Sequence, residues 1–408
     1  MSQQELRSSP NAQQTIESER WIPVKEVVNN RFVFKNSDYS ANEDWNEVSR
    51  IPAEGNVPTA LSNQTISFKI DSTNVDMLHY PCLEVLLTNS TGANASRTSL
   101  HLEVNRVDVY NGENGDPIWN TTGQELHIAT GFIPKNVWDC TYGLFGMTAL
   151  YAQAGTVVAD GATQELLLPL FGFFKACKLF LAGLANSLRV KISFYPSTYS
   201  ILTGAEMSLT NINLVLYGRN LQPKSKLEAL QKYRHAKIPM ALSHLSIDRV
   251  EKTETLAASS RYSFTLNSGS AGVCAFMIMS IRLASTANAA ATSTTYITAD
   301  TLDIINSKND SICGGYSRRS AARQLQHASL FQNGSYIPIT NAVYFASDPV
   351  GAYARGINSG HYLITGNEQV VITTPAGMAG GSYLIEIRFY QYETLYINQG
   401  RPKPTRAS

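Results

Sequence analysis

The sequence predicts an all-β chain of two eight-stranded antiparallel jelly rolls, joined by a short helix and carrying long loops. Short segments of alternating apolar and polar residues fill two blocks, residues 61–220 and 245–396, with about eight segments in each. One segment between the blocks has the spacing and end signals of a helix. Antiparallel units of eight short strands with long connections are typical of jelly rolls. At 408 residues the chain is also too long for one ordinary core, which favours two domains.

We interpret residues 1–60 as an extended N-terminal arm that packs on another surface. The arm is polar and carries six Lys/Arg against nine Asp/Glu, a net charge of −3. This balance excludes a basic arm that neutralises a genome.

The first block contains a predicted β-bulge. In "SLHLEVNRVDVY", apolar residues alternate from Leu100 to Val104, and the pattern slips by one residue at Asn105–Arg106 before it resumes. A one-residue slip within a strand indicates a bulge. Residues 111–162, which follow, are rich in loop-forming residues.

The most hydrophobic stretch of the chain runs from Leu166 to Leu184, nineteen residues, which is long enough to span a bilayer. Lys175 and Lys178 lie near its middle and would together cost about 5–7 kcal/mol in a membrane, while Pro169 removes a backbone donor. The next residues, "SLRVKISFYP", alternate strictly. The stretch therefore predicts a buried strand, a compact connector and a second strand of the first barrel.

The single predicted helix lies in "KSKLEALQKYRHAKIP". Ser225 and Glu228 have capping-box spacing, and Pro239 ends the segment. The predicted apolar stripe is narrow and consists of Leu227, Leu230 and Tyr233.

The second block repeats the order of segments found in the first. Val273 to Ile281 is apolar nearly throughout, which predicts a strand covered on both faces. Each block ends in two long alternating strands, "SLRVKISFYP…INLVLYG" and "EQVVITT…YLIEIRFYQY". Each pair is preceded by an apolar segment with a proline and a loop, "LLLPLFGFF" and "YIPITNAVYFASDP". We infer an internal duplication.

These observations divide the chain into five segments. They are an N-terminal arm (1–60), a first jelly roll (61–220), a helical linker (221–244), a second jelly roll (245–396) and a basic C-terminal tail (397–408).

The charge balance argues against nucleic-acid binding as the main activity. The net charge is +1, so no global field draws the chain to nucleic acid or anionic membranes. Residues 219–244 carry a local +5 and the last eight residues +3, which we interpret as solvated segments.

The sequence offers little chemistry, and we predict no catalytic, cofactor-binding or metal-binding residues. The five cysteines are widely spaced, without Cys-x-x-Cys, and no nucleophile elbow or phosphate-binding loop occurs. His101 and Glu103 mimic a metal-ligand pair on one strand face, but such a pair is more often the polar face of a strand. Asp300, Asp303 and Asp310 are similarly interpreted as polar loop residues rather than calcium ligands.

Two alternatives remain open at this point. The twenty tyrosines, several of them in "FYQYETLY", suit subunit interfaces but could also form the sugar platform of a carbohydrate-binding or adhesin protein. A cupin-type metalloenzyme is the other alternative, since cupins are jelly rolls.

Two stretches resemble the double jelly-roll major capsid proteins of tailless icosahedral viruses, which include internal-membrane bacteriophages, virophages, Polinton-like viruses and nucleocytoplasmic large DNA viruses. "LLLPLFGFFKACKLFLAGLANSLRVKISF" resembles the family's proline-containing apolar strand, with the loop and strand that leave the first jelly roll. "YFASDPVGAYARGINSGHYLI" resembles its aromatic strand, Asp-Pro turn and Gly/Ser-containing loop. The "LFGFF" part departs from relatives that carry further polar residues there.

The resemblance implies a structural protein of the virion and not an enzyme. Two jelly rolls would stand side by side, and three chains would form a homotrimer whose six barrels make a pseudo-hexagonal tile of an icosahedral capsid. Partners would be copies of the chain, minor capsid and vertex proteins, and an internal membrane reached through the N-terminal arm, with no sequence-specific nucleic acid. The chain would be made in the host cytoplasm, and residues 111–162 and 284–335 would form the exterior towers.

Overall fold

The fold is described from a computed structural model. The structure describes residues 46–113, 115–129, 154–196, 206–221, 223–235, 240–266, 271–286, 296–312, 316–317 and 341–406.

The first barrel consists of a five-stranded and a four-stranded antiparallel sheet. Its strands are β1 (Asn46–Pro52), β2 (Thr65–Ile70), β3 (Met77–Thr88), β4 (Ala95–Thr98), β5 (Val104–Asn111), β6 (Trp119–Thr121), β7 (Ala154–Val158), β8 (Thr163–Pro169), β9 (Leu179–Phe180), β10 (Leu188–Phe194) and β11 (Ser208–Arg219). One sheet has the order β1-β11-β3-β8 and the other β2-β10-β5-β6. The short strand β9 adds to β3, and β4 pairs with β7 as a separate ribbon.

The second barrel repeats this arrangement. Its strands are β12 (Met240–Leu256), β13 (Arg261–Thr265), β14 (Gly272–Leu283), β15 (Tyr296–Ile297), β16 (Thr301–Ile305), β17 (Tyr316–Ser317), β18 (Asn341–Tyr344), β19 (Tyr362–Ile364), β20 (Gln369–Thr373), β21 (Gly381–Asn398) and β22 (Arg401–Arg406). One sheet has the order β12-β21-β14-β15, with β18 and β19 also on β14 and β22 on β21. The other has the order β13-β20-β16-β17.

The two barrels therefore share one topology, which supports the inferred duplication. In each, the first strand pairs with the last long strand, and that strand also pairs with the third (β1-β11-β3 and β12-β21-β14); β22 is an addition to the second barrel. The helices are α1 (Leu100–Glu103), α2 (Gly123–Ala129), α3 (Phe173–Cys177), α4 (Pro223–His235) and α5 (Pro349–Arg355). The strands β8 and β18, which occupy corresponding positions next to the third strand, are each followed by a short helix, α3 and α5. The predicted all-β class with antiparallel jelly rolls is confirmed.

The hydrophobic stretch is core and not membrane. Leu166 and Leu168 on β8 are at most 1% exposed, and β10 alternates strictly between buried and half-buried residues. Between these strands lie α3, β9 and a 3₁₀ turn at Leu181–Gly183, the predicted compact connector. Among the described residues no helix is long and apolar enough to cross a membrane.

The predicted bulge is confirmed, but the strand predicted immediately before it is not present. Ser193 of β10 pairs with Arg106 and Phe194 with Val104, so Asn105 is the extra residue. Leu100–Glu103, predicted as strand, forms the helical turn α1 and is entirely buried. Its apolar and polar residues are all buried, so the alternation in this segment does not indicate a strand with one buried and one exposed face.

The linker helix exists, with different ends and a different stripe. The capping-box spacing predicted Ser225 as the cap. The helix instead begins at Pro223, so Ser225 lies inside it. Its buried face consists of Ala229 and Tyr233, whereas Leu227 is 58% exposed. Leu227 was wrongly assigned to the buried stripe, in which the small residue Ala229 lies instead. Pro239 lies outside the described residues.

Strands also lie in segments that the sequence analysis placed outside the barrels. β1 falls in the predicted arm and pairs with β11, β12 begins in the predicted linker, and β22 falls in the predicted tail and pairs with β21. The five domain boundaries remain a prediction. About half of the residues in the two predicted tower segments, and all of residues 1–45, lie outside the described residues.

One predicted turn is a helix. Asp348 caps α5, accepting a hydrogen bond at Oδ1 from the Gly351 amide over 2.7 Å, and Pro349 occupies the first turn. Gly356 ends the helix in the left-handed region, at φ 62°. The Asp-Pro pair of the second resemblance therefore starts a helix, rather than forming only a turn.

Candidate functional site at the contact between the barrels

The two barrels meet through a buried charged contact, and α2 of the first barrel supplies its central carboxylate. Thr122 and Glu125 form a capping box: the Thr122 amide donates to Glu125 Oε2 (2.8 Å), and the Glu125 amide donates to Thr122 Oγ1 (3.3 Å). Thr121 Oγ1 donates to the same carboxylate over 3.1 Å. The Glu125 side chain is fully buried. These bonds fix the carboxylate toward the second barrel.

Arg249, on β12 of the second barrel, binds this carboxylate with both ends of its guanidinium. Nε and Nη2 donate to the two Glu125 oxygens over 2.6 Å each, and Nη1 donates to Asn120 Oδ1 over 2.7 Å. A bidentate pair of this kind is among the strong hydrogen bonds in proteins and fixes orientation as well as distance. The contact therefore sets how the two barrels sit against each other.

A second arginine, Arg388 on β21, extends the contact into the sheet. Its Nε lies 3.5 Å from Glu125 Oε1, Nη1 donates to Ser280 Oγ over 2.9 Å, and Nη2 donates to Gln124 Oε1 over 2.5 Å. Gln124, on α2, also donates to Ser280 Oγ over 3.2 Å. Arg388 is 3% exposed.

Glu386 and Arg282 complete the set. Glu386 lies 3.3 Å from Arg388 Nη2 and 3.2 Å from Arg282 Nε. Burial raises the pKa of Tyr195, a residue of the first barrel, and the charge of Arg282 opposes that rise. We refer to these side chains as the interbarrel network: Gln124, Glu125, Arg249, Ser280, Arg282, Glu386 and Arg388.

The electrostatics of the interbarrel network are those of a paired buried carboxylate. Burial opposes ionisation of Glu125, but Arg249 and Arg388 together with the Thr122 amide hold its pKa below its usual range. Burial also works against the Arg249 guanidinium, and Glu125 outweighs it, so that the pKa of Arg249 is raised. Both groups are thus charged at neutral pH, and each stabilises the charge of the other.

Apolar packing surrounds the interbarrel network. Ile128 and Ala129 of α2 pack in one cluster with Phe276 and Tyr390 of the second barrel, whose rings stack at 4.3 Å. The start of β12 and the end of β21 also pack into the core of the first barrel, through the buried residues Met240, Leu395 and Ile397. The barrels thus share both a polar and an apolar contact, as obligate interfaces do.

Known structures share this two-barrel arrangement along nearly the whole chain. The PBCV-1 capsid protein superposes with a TM-score of 0.65 at 15% identity, covering 88% of this chain and 96% of that chain. The Faustovirus major capsid protein gives 0.58 at 12% identity, with 97% and 98% covered. The Sputnik virophage structure gives 0.55 at 11% identity, with 91% of each chain covered. No protein-family model and no functionally curated protein matches the sequence.

The chain has the double jelly-roll fold. The predicted resemblance to double jelly-roll major capsid proteins is confirmed at the level of the fold, which is what a likeness at such low identity establishes. The two barrels of this double jelly roll stand side by side across the interbarrel network.

The candidate metal pair of the sequence analysis does not lie on a strand. His101 and Glu103 lie on α1, and both are buried. The His101 ring packs edge-on against His127 of α2, with centroids 5.9 Å apart. Among the described residues no three His, Cys, Asp or Glu side chains are grouped as a metal site would require. Asp303 lies on β16 rather than in a loop and accepts a hydrogen bond from Ser311 Oγ, and Asp310 in the following loop accepts one from Asn306 Nδ2.

Tyr390 and Tyr392 of "FYQYETLY" are buried and do not form a sugar platform, whereas Tyr396 is half-buried. Tyr390 is fully buried and Tyr392 is 7% exposed. The Tyr392 hydroxyl donates to the carbonyl of Ile357 over 3.1 Å. These rings pack at the interbarrel contact of the same chain, consistent with the interface interpretation.

The interbarrel network was missed in the sequence, although one signal was present. Thr122-x-x-Glu125 is a capping-box pattern, in "TTGQELHIA", of the same kind as the one assigned to the linker helix. The charged partners lie on strand faces that alternate with core residues, where a charged residue is ordinarily solvated. Their burial depends on the first barrel, which covers that face, and leaves no local pattern.

Proposed function

We propose that the chain is a major capsid protein that forms a homotrimer, and that trimers tile an icosahedral viral shell as pseudo-hexagonal capsomers. The observation that carries the proposal is the pair of barrels of equal topology fixed side by side by a buried network. Two equivalent barrels in one rigid chain supply two of six positions in a ring, so three copies complete it. The fold likeness to capsid proteins across 88–97% of the chain supports the same conclusion.

The proposed role is structural rather than catalytic. The buried polar groups described above are paired with each other and serve packing, and the thiols of Cys82, Cys177 and Cys274 are buried, with pKa values raised by burial. A raised pKa keeps a thiol protonated and unreactive.

Location and further partners follow as parts of the same proposal. The protein would reside in the virion after synthesis in the host cytoplasm, contacting neighbouring trimers and minor capsid and vertex proteins. Residues 1–60 would reach an internal membrane, and we propose no sequence-specific nucleic-acid contact.

Light scattering on the purified chain, with negative-stain images of the same fraction, tests the proposal. The expected result is a mass of three times 44.8 kDa and hexagonal outlines. A monomer with rounded outlines at every concentration, also after co-expression with the other virion proteins, would contradict it.

A further inference from the structure

The two barrels differ in what covers the outer face of their equivalent sheets. In the second barrel, α2 lies over the β12-β21-β14 face through Arg249 and Arg388. In the first barrel, the outer face of β1-β11-β3-β8 carries an open cavity of about 330 Å³. First-barrel residues alone line it, and we call this surface the open sheet face: Arg50, Glu84, Leu86, Glu165, Asn211 and Asn213.

The open sheet face is anionic. Arg50 Nη1 lies 3.1 Å from Glu84 Oε1, and Asn213 Nδ2 donates to Glu84 Oε2 over 3.3 Å, so this carboxylate is paired. Glu165 adds a second carboxylate, and no basic side chain of the described residues lies within ion-pair distance of it. Two carboxylates face one guanidinium, which leaves one negative charge in the cavity.

The covered face of the second barrel has the opposite sign. There three guanidinium groups (Arg249, Arg282 and Arg388) share the face with two carboxylates of the same sheet, Glu386 and its cross-strand neighbour Glu251. The face also receives the carboxylate Glu125 from the first barrel, through Arg249 and Arg388. A cationic sheet face thus accepts an anionic segment.

The order of the strands shows which sequence segment follows the same outer strand in the second barrel as α2 does in the first. Helix α2 follows β6, which is the outer strand of its sheet, and β17 is the outer strand at the same position of the second barrel. The residues after β17 read "RRSAAR", with Arg318, Arg319 and Arg323 and no acidic residue. This segment lies outside the described residues, and its sequence alone enters here. Its charge is opposite to that of the open sheet face, just as Glu125 is opposite to the face that it contacts.

We propose that the open sheet face binds residues 318–323 of a second copy of the chain, with Glu165 as the anionic partner of an arginine. This inference rests on the proposed function and names the surface and chemistry of its subunit contact. One copy would present the basic segment and the next the anionic face, a head-to-tail contact. Such contacts form a closed ring when the rotation between copies closes. The contact between subunits would thus repeat the one between barrels with the charges exchanged.

Charge reversal on each side tests the pairing. Glu165→Arg and, separately, the triple change Arg318→Glu, Arg319→Glu and Arg323→Glu are each expected to raise the concentration of half-dissociation of the trimer at least about tenfold, since like charges face each other. Glu165→Gln is expected to act in the same direction with a smaller effect. The chain that carries Glu165→Arg together with the triple change is expected to recover most of the association. Light scattering over a concentration series measures all of them, and circular dichroism verifies the fold of each variant.

Glu228→Arg is the matched control, because Glu228 is an exposed carboxylate on α4, away from the open sheet face. The control is expected to associate like the wild type. If the wild type forms a trimer and Glu165→Arg dissociates at the same concentration, the assigned surface is overturned but the capsid role is not. Failure of the combined variant to recover association would overturn the pairing with residues 318–323. A wild type that never trimerises would instead overturn the proposed function itself.

Discussion

Replacing Glu125 by Gln is expected to destabilise the chain by about 3–5 kcal/mol, the usual cost of removing one partner from a buried ion pair. The change keeps the size of the side chain and removes its charge. Arg249 and Arg388 would then share the buried contact with Arg282 and the single carboxylate Glu386. Both short bonds from Arg249, at 2.6 Å, would lose their ionised acceptor. The cost exceeds that of a surface pair, which is about 0–1 kcal/mol, because water cannot replace the lost partner.

Urea denaturation followed by circular dichroism measures the effect, with Glu228→Gln as the matched control. Glu228 is exposed on α4, so its replacement is expected to change the free energy of unfolding by no more than about 0.5 kcal/mol. A double-mutant cycle with Arg249→Met isolates the pair. The combined variant is expected to be less destabilised than the sum of the single changes, since no unpaired charge of the pair remains. If Glu125→Gln unfolds within about 0.5 kcal/mol of the wild type, the interbarrel network does not hold the barrels as described.

Three further predictions concern the core and its neutral histidines. Leu168→Asp is expected to abolish soluble trimer, because it places a charge in the core that β8 covers. Thr163→Asp, at the exposed start of the same strand, is expected to be tolerated. A normal trimer yield from Leu168→Asp would contradict the core assignment. Gly123→Ala is expected to destabilise the chain strongly, since its Cβ would lie 1.9 Å from the His101 carbonyl oxygen, while Gly377→Ala meets nothing within 4 Å; equal melting temperatures of the two variants would refute the close approach of α1 and α2. Burial lowers the pKa of His127 from 6.5 to about 4, so between these values the unfolded chain binds a proton that the folded chain does not, and stability falls as the pH falls. From pH 7 to pH 5 this amounts to about 2 kcal/mol, which His127→Gln is expected to remove from the pH dependence of unfolding; an unchanged dependence would exclude His127 as its source.

The alternating strands could be predicted because their signal is local. In β10 each inward residue is apolar and each outward residue polar, so the sequence alone assigns the face. The bulge at Asn105 left the same kind of trace, since an extra residue shifts the phase of the pattern. α1 was misassigned because its pattern of apolar and polar residues also suits a strand, and the buried His101 and Glu103 behave as polar outward residues only if a strand is assumed.

The interbarrel network could not be predicted, because alternation identifies only one face of a sheet. In "YLIEIRFYQY" the apolar positions Ile385, Ile387 and Phe389 fill the second core, and this assigns Glu386 and Arg388 to the outside. Both are nevertheless buried, at 6% and 3% exposure, because the first barrel covers that outside. A charged residue on the outer face of a strand is therefore informative only once its exposure in the folded chain is known.

The same reasoning applies to the open sheet face, with one step added. Glu84 lies on the outer side of β3, between the core residues Leu83 and Val85, and is 8% exposed although Arg50 beside it has a side chain that is 54% exposed. In the second barrel, charged residues that are buried on the outer side of a strand, such as Glu386 and Arg388, lie on a face that the first barrel covers. In the first barrel the residues that line the cavity all belong to that barrel, and our proposal assigns its cover to a second copy of the chain. The chain supplies one basic segment at the topologically equivalent place, and this is why a second copy, rather than an unrelated partner, is the occupant that the sheet order and the charges together favour.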